Sequence, residues 1–209
     1  MHGPIGVREP RVESFGIQIG DLDRSVRVAR VQPFCNEGTD ALTLGYLAER
    51  AGVTKPVVYD HFNTRSGLLA ALYKDFDARQ TTLMDAALAR CEPSLTSTAS
   101  VIATVYVDCV VTQGNEISGG IAALAGSPEL EQIKREYEAI FFDKCRAALS
   151  PFAVPGEIAA AGLRAMLGAA EALSAAAANQ ELSTVQAQEE LFEIIVGMVQ
   201  RAQRALPSV

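Results

Sequence analysis

The chain has 209 residues, of which 49% are apolar and 6% aromatic, and its net charge is −7 at pH 7. This length suffices for one or two domains with a substantial core, and an alanine-rich composition without Trp favours helices over sheets. The four cysteines are widely spaced and the two histidines are isolated, which excludes the zinc, redox and catalytic-triad motifs that spacing alone would reveal. We therefore expect an all-α protein with no metal, no cofactor and no enzymatic activity.

The N-terminal part of the chain is expected to contain a tail and one helix. Residues 1–20 have no apolar segment between basic residues and a cleavage site, so they are interpreted as a flexible tail and not as a signal peptide. Apolar periodicity predicts a first helix over residues 21–35, where Pro33 would bend it or remove one backbone hydrogen bond.

Residues 43–62 carry the signals of two short helices that are joined by a tight turn. Thr43 is a good N-cap for a helix through residue 51, and Gly52 is suited to end it in a left-handed conformation. Thr54 caps the next helix, and Pro56 falls in its first turn, where a missing amide hydrogen costs little. Because Ala48 is small enough for two helices to cross closely, the spacing predicts a helix-turn-helix.

Residues 47–69 read LAERAGVTKPVVYDHFNTRSGLL. The Ala-Gly-Val turn followed by a helix that ends in Tyr-x-His-Phe resembles the TetR family of bacterial repressors. The resemblance implies a three-helix DNA-binding domain over residues 21–66, followed by a helical ligand-binding and dimerisation domain over residues 67–209.

By position, the resemblance also implies a set of residues that face operator DNA. Lys55 would contact a base edge or a phosphate, and Val57 a thymine methyl group. For Tyr59, packing and phosphate contact are equally plausible interpretations, and His61 could instead cap or pack. The predicted DNA-binding residues are Thr43, Thr54, Lys55, Pro56, Val57, Tyr59, His61 and Arg65.

The acidic net charge does not contradict a DNA partner. Residues 1–80 hold ten acidic and ten basic residues, so the whole acidic excess lies in the rest of the chain. Since binding depends on local phosphate neutralisation, a neutral segment binds DNA if its basic residues share one face.

The remainder of the chain is predicted to be helical throughout. Thr64 caps a helix that begins near residue 65 and ends before the Glu92-Pro93 turn, and Ser127-Pro128-Glu129 is a typical helix start. Charged residues recur at 157, 164 and 171, on one face of the alanine-rich segment 159–178 or just before it, and this face is expected to contact water. The segment is therefore not expected to span a membrane. Further helices are expected over residues 96–113, 116–125, 128–149, 156–178 and 184–205, for a total of about nine.

In the family, the last two helices form the dimer interface. Their inner stripes could equally be buried within one protomer, because periodicity does not distinguish the two environments. The predicted dimer residues are Ile158, Gly162, Ala165, Ala169, Leu173, Leu191, Ile194, Ile195, Met198 and Ala202.

The resemblance further implies a pocket in the body for an unknown small-molecule effector. A polar ridge at residues 100, 104, 108 and 112 could line it, although a solvent-facing ridge is the simpler interpretation. A buried Asp108 would indicate a cationic ligand. The candidate pocket residues are Met84, Thr104, Tyr106, Asp108, Cys109, Tyr137 and Phe141.

The leading hypothesis is a cytoplasmic repressor that binds a palindromic operator as a homodimer and releases it when the effector binds. An activator would look identical from the sequence. Two other classes stay open: a helical enzyme or ligand carrier with a purely structural hairpin, and a protein-interaction adaptor without DNA affinity.

Overall fold

The computed structural model describes residues 43–124 and 128–204. Within these ranges the chain forms seven α-helices and one short 3-10 helix, without a β-strand, and the all-α prediction is confirmed. The predicted tail at residues 1–20 and first helix at 21–35 lie outside the described residues. The helices are α1 (Leu44–Ala51), α2 (Lys55–Phe62), α3 (Arg65–Leu88), α4 (Leu95–Leu124), α5 (Pro128–Leu149), α6 (Ala160–Ala178) and α7 (Thr184–Arg204).

The predicted caps organise the first three of these helices. The Thr43 hydroxyl accepts a hydrogen bond from the Tyr46 amide at 3.1 Å, and Thr64 does the same for Gly67 at 3.0 Å. Gly52 ends α1 in the left-handed region with φ 67°, a conformation that only glycine adopts without strain. Thr54 occupies the N-cap position of α2 but makes no side-chain capping bond.

One helix, α4, replaces the two predicted over residues 96–113 and 116–125. The expected break at Gly114-Asn115 was wrong. A single glycine inside a helix costs only about 1 kcal/mol, and no proline removes a backbone donor nearby. With the first predicted helix outside the described ranges, this merger accounts for the difference from nine helices.

The start of α6 also differs from the prediction, since the helix begins at Ala160 and not at residue 156. Gly156 lies so close to α7 that a Cβ there would overlap the Ala202 carbonyl oxygen. Ile158 is buried, and Ala159 has the extended conformation of an N-cap. The contacts with α7 therefore hold residues 156–159 as a non-helical segment before the start of α6.

The buried side chains form two hydrophobic clusters. The first, here called the head cluster, joins α1 and α2 to the start of α3, with Val58 and Phe62 at its centre and Ile133 of α5 at its edge. The second, the body cluster, surrounds α4, which packs against α3, α6 and α7. Because α3 contributes Leu68 and Leu69 to the head cluster and Met84 to the body cluster, it connects the two.

The segment Leu95–Thr112 of α4 is long and apolar enough to cross a membrane by length and composition. Its inner side chains, among them Ala99, Ile102 and Val107, are buried in the body cluster. The apolar character of this helix is therefore accounted for by its central position in the fold.

Candidate functional site

The turn between α1 and α2 sets one face of α2 outward. Ala48 is fully buried at the crossing, and its carbonyl accepts a hydrogen bond from the Val53 amide at 3.0 Å. Val58 and Phe62 anchor α2 in the head cluster. A short helix held across a second helix by a buried small residue is the arrangement that a helix-turn-helix uses to present side chains to the major groove of DNA.

The outward face of α2 carries the residues predicted to meet DNA. Thr54, Lys55 and Pro56 are exposed at its start, and Val57 and Tyr59 retain 41% and 50% of their accessible surface. Exposed apolar side chains on a helix surface are available for base and phosphate contacts. The packing interpretation of Tyr59 is therefore not supported by its position.

Lys55 and Thr43 lie close together at the N-terminus of α1. A Cβ at Gly45 would lie 3.5 Å from Lys55 Cε, 3.8 Å from Lys55 Nζ and 3.9 Å from Thr43 Oγ1. The aliphatic stem of Lys55 thus runs over the first turn of α1. At this end of the helix the ammonium group adds to the partial positive charge of the helix N-terminus.

His61 and Arg65 are less accessible than the other predicted contacts. Both are half-buried, and the His61 ring packs edge-on against the Phe62 ring with centroids 4.5 Å apart. The packing interpretation of His61 therefore fits its position. Thr43, by contrast, is exposed and accessible to DNA.

The predicted pocket residues fall into three groups. Met84 and Cys109 are buried in the core, and burial raises the pKa of the Cys109 thiol above its ordinary value. Asp108 is exposed at the surface, where it accepts a hydrogen bond from Gln188 of α7 at 2.7 Å. Thr104 is half-buried, but its ridge neighbours at 100 and 112 are exposed, so the ridge faces mainly solvent.

The aromatic candidates come together. Tyr106 of α4 packs against Phe141 of α5 with ring centroids 5.5 Å apart, and Tyr137 of α5 packs against Tyr73 of α3 at 5.6 Å. Since Tyr137 and Phe141 are one turn apart on α5, the four rings form a continuous group.

Charged residues that sequence reasoning missed surround these rings. Lys134 of α5 pairs with Glu171 of α6 at 3.0 Å and with Glu138 at 3.6 Å. Lys144 of α5 pairs with Asp85 of α3. One signal for Tyr73, Asp77 and Gln80 was available in the sequence, because the three polar residues interrupt a single face of α3.

Asp77 of α3 differs from the other acidic residues around the rings. It is half-buried and forms no ion pair or hydrogen bond with another described residue. Burial raises the pKa of Asp77 to about 6, and the positive charge of Lys144 opposes this shift.

We expect Asp77→Asn to stabilise the protein at alkaline pH. The native pKa lies above the ordinary value of 3.8, so the carboxylate destabilises the fold once it loses its proton. This penalty is absent below pH 3.8 and complete above pH 6. After discounting for solvent screening, the variant should gain about 1 kcal/mol in the free energy of unfolding at alkaline pH.

Urea denaturation of both proteins across this pH range measures the difference. Asp143→Asn on the exposed side of α5, where Asp143 pairs with Arg146, is the matched control and should change stability by less than about 0.5 kcal/mol. An Asp77→Asn variant that is less stable than the native protein at alkaline pH would contradict the prediction.

The predicted dimer residues are divided between the protomer core and its surface. Met198 packs against Gly162, where an added Cβ would lie 3.0 Å from the Met198 sulfur. Ala165 is exposed, and Ala169, Leu173 and Ile194 are half-buried. The core members are Ile158, Leu191, Ile195, Met198 and Ala202.

Comparison with known proteins agrees with this architecture. Residues 32–72 match the tetR family of bacterial regulatory proteins. The fold is similar to that of a transcriptional regulator from Rhodococcus sp., with a TM-score of 0.70 and 17% identity over 88% of this chain and 99% of that one. No curated protein matches this chain in sequence.

Two further solved structures share the fold. A TetR-family transcriptional regulator from Streptomyces coelicolor has a TM-score of 0.66 and 15% identity over 88% of this chain and 97% of that one. The fatty acid degradation regulator FadR from Bacillus halodurans has a TM-score of 0.66 and 13% identity over 92% of this chain and 100% of that one. The family match over residues 32–72 agrees with the resemblance, and the similar structures show that the chain has their all-α fold.

Proposed function

We propose that the protein is a cytoplasmic repressor that binds a palindromic operator as a homodimer and releases it when a small molecule binds in the body. The observation that carries this proposal is the exposed face of α2, which presents Lys55, Val57 and Tyr59 on a helix anchored from behind by Val58. A purely structural hairpin, as in an enzyme or carrier, would not need such a face.

The two ends of the hairpin support different contacts with DNA. Lys55 and Thr43 sit beside the first-turn amides of α1, which favours a phosphate over a base edge as the partner of Lys55. Val57 is suited to a thymine methyl group and Tyr59 to a phosphate. Thr54, Pro56, His61 and Arg65 complete the proposed interface.

The body is proposed to supply the partner and the effector site. The exposed side of α6 consists largely of small residues, including Ala165 and Gly168, which allow a second copy to approach closely. We place the DNA-binding domain over residues 21–66 and the regulatory domain over residues 67–209, and the head cluster supports this division for the described residues from 44 onward. A homodimer would double the contact of one short recognition helix, as specific binding requires.

The test is binding of the purified protein to the DNA that flanks its own gene, measured by fluorescence anisotropy at several salt concentrations. Tighter binding to this DNA than to a random duplex, with two chains per site, is the expected result. Equal binding to both duplexes would overturn the proposal.

Lys55→Ala should weaken operator binding and lower the slope of log K against log salt by about one, because one phosphate contact is lost. Lys74→Ala is the matched control, since Lys74 is an exposed lysine on α3 outside the hairpin. A slope that is identical in the native protein and in Lys55→Ala would remove Lys55 from the set of phosphate contacts.

A further inference from the structure

A group of tyrosines and carboxylates lies where α3, α4, α5 and α6 meet. The four rings described above supply one side of this group, which we call the tyrosine cluster: Tyr73, Tyr106, Tyr137 and Phe141. The carboxylates come from Asp77 on α3, Glu138 on α5 and Glu171 on α6. Four helices thus contribute polar or aromatic side chains to one region of the body.

The carboxylates lie within electrostatic reach of the phenols. Burial raises the pKa of Tyr73 above its ordinary value, and the negative charges of Asp77, Glu138 and Glu171 raise it further. Burial also raises the pKa of Tyr106, with additional contributions from Glu171, Tyr73 and Glu138. Both tyrosine side chains therefore stay neutral at physiological pH and keep their hydroxyl protons.

Positive charge in this region does not balance the carboxylates. Lys134 is shared between Glu138 and Glu171, and Lys144 is bound to Asp85. Asp77 has no ion pair with any described residue, although the pairing of a half-buried carboxylate would stabilise the fold. The cluster thus retains negative charge close to aromatic rings.

One polar side chain of this region also has no partner within the described ranges. The buried amide nitrogen of Gln80, on the same face of α3 as Tyr73 and Asp77, lacks an acceptor. Buried polar groups are usually hydrogen-bonded, so this group points to a polar occupant.

We infer that the effector of this regulator is an organic cation with an aromatic or aliphatic body, which binds at the tyrosine cluster with its charge at Asp77. Tyrosine faces attract a cation through their quadrupole, and the unpaired carboxylate supplies the complementary charge. A metal ion does not fit, because no three His, Cys, Asp or Glu side chains in the described part of the chain group as metal ligands. The inference rests on the proposed function and names its ligand class.

The position of the cluster couples it to the head. Ile133 of α5 packs against the head cluster and lies one turn before Tyr137. Tyr73 is also packed against the head cluster and lies one turn before Asp77 on α3. An occupant between α3 and α5 therefore acts on the two helices that contact the DNA-binding head.

The experiment uses a pair of ligands that share one carbon skeleton, the cation phenethylammonium and the anion hydrocinnamate. Isothermal titration calorimetry of the full-length protein at neutral pH should detect binding of phenethylammonium and little or none of hydrocinnamate. Asp77→Asn should lower the affinity for the cation by about tenfold or more, because a charged hydrogen-bond partner is lost. Asp143→Asn, on the exposed side of α5, should leave the affinity unchanged.

A second variant keeps the test independent of the folding of Asp77→Asn. Tyr106→Phe retains the ring and removes only the hydroxyl, and it should lower the affinity for phenethylammonium several-fold. Preference for hydrocinnamate, no binding of the cation at millimolar concentration, or equal affinity in native protein and both variants would each overturn the inference.

Parallel measurement on operator DNA separates this inference from the proposed function. A protein that binds the DNA flanking its gene but not phenethylammonium would retain the proposed regulatory function and lose the ligand class. A protein that binds the cation through Asp77 but no DNA would retain the site and lose the regulatory function.

Discussion

Replacing Gly67 by alanine is expected to lower the free energy of unfolding by about 3 kcal/mol, the upper end for overpacking in a close-packed region. A Cβ at this position would overlap the carbonyl oxygen of Phe62, the last residue of α2. This obstacle is backbone and cannot rotate away, so the start of α3 must move relative to α2. We also expect operator binding to weaken by at least about tenfold, since misplacing a positioned contact is costly.

Urea denaturation followed by circular dichroism, together with DNA-binding anisotropy, measures both effects. Gly45→Ala in α1 is the matched control for stability within the head, because its Cβ would make only ordinary contacts, the nearest with Lys55 Cε at 3.5 Å. Native stability and DNA affinity in Gly67→Ala would show that the junction of α2 and α3 tolerates the added carbon.

Gly156→Ala should destabilise the body by about 3 kcal/mol for the same reason at a different junction. The added Cβ would overlap the Ala202 carbonyl near the end of α7. Relief of this overlap would lift residues 156–159 from α7 and withdraw Ile158, which is 5% exposed, from the core. The cost therefore combines a steric shift with partial loss of an apolar contact.

Thermal and urea unfolding of Gly156→Ala and of Gly197→Ala provide the comparison. At Gly197 in α7 the nearest atom to an added Cβ is the flexible end of Arg201 at 3.5 Å. Because alanine is the better helix former, Gly197→Ala should be neutral or more stable by up to about 1 kcal/mol. Equal stability of the two variants would refute the close approach of residues 156–159 to α7.

Local signals explain why the helix-turn-helix could be predicted well. Thr43, Gly52 and Thr64 act through hydrogen bonds or backbone conformations within three or four residues of their own positions. Such interactions depend little on the rest of the fold, so the bounds of α1, α2 and the start of α3 follow from them.

The two helix boundaries that differ from the prediction depend on contacts or on weak breakers. Gly114 favours a helix break only weakly, and α4 continues through it. Residue 156 has the periodicity of a helix start, but its neighbours are held by the end of α7, which lies far along the chain. No local pattern records that contact.

The candidate effector site was only partly predictable. Tyr106, Tyr137 and Phe141 were recognised as apolar candidates, whereas Asp77 and Glu171 gave no signal apart from ordinary helix-surface charges. The same limit applies to the stripes of α6 and α7, where Ile195 is buried inside the protomer and Ala165 is exposed. Periodicity identifies the faces of a helix but not what each face meets.

The sequence by itself determined the helix-turn-helix, its caps and its outward residues, because these rest on short-range hydrogen bonds and on the conformational freedom of one glycine. Only the tertiary structure decided that Tyr73 meets Tyr137, that Lys134 pairs with Glu171 and that Asp77 has no ion pair within the described part of the chain. Those facts depend on how four helices pack, and packing is set by the combined burial of side chains distant in sequence.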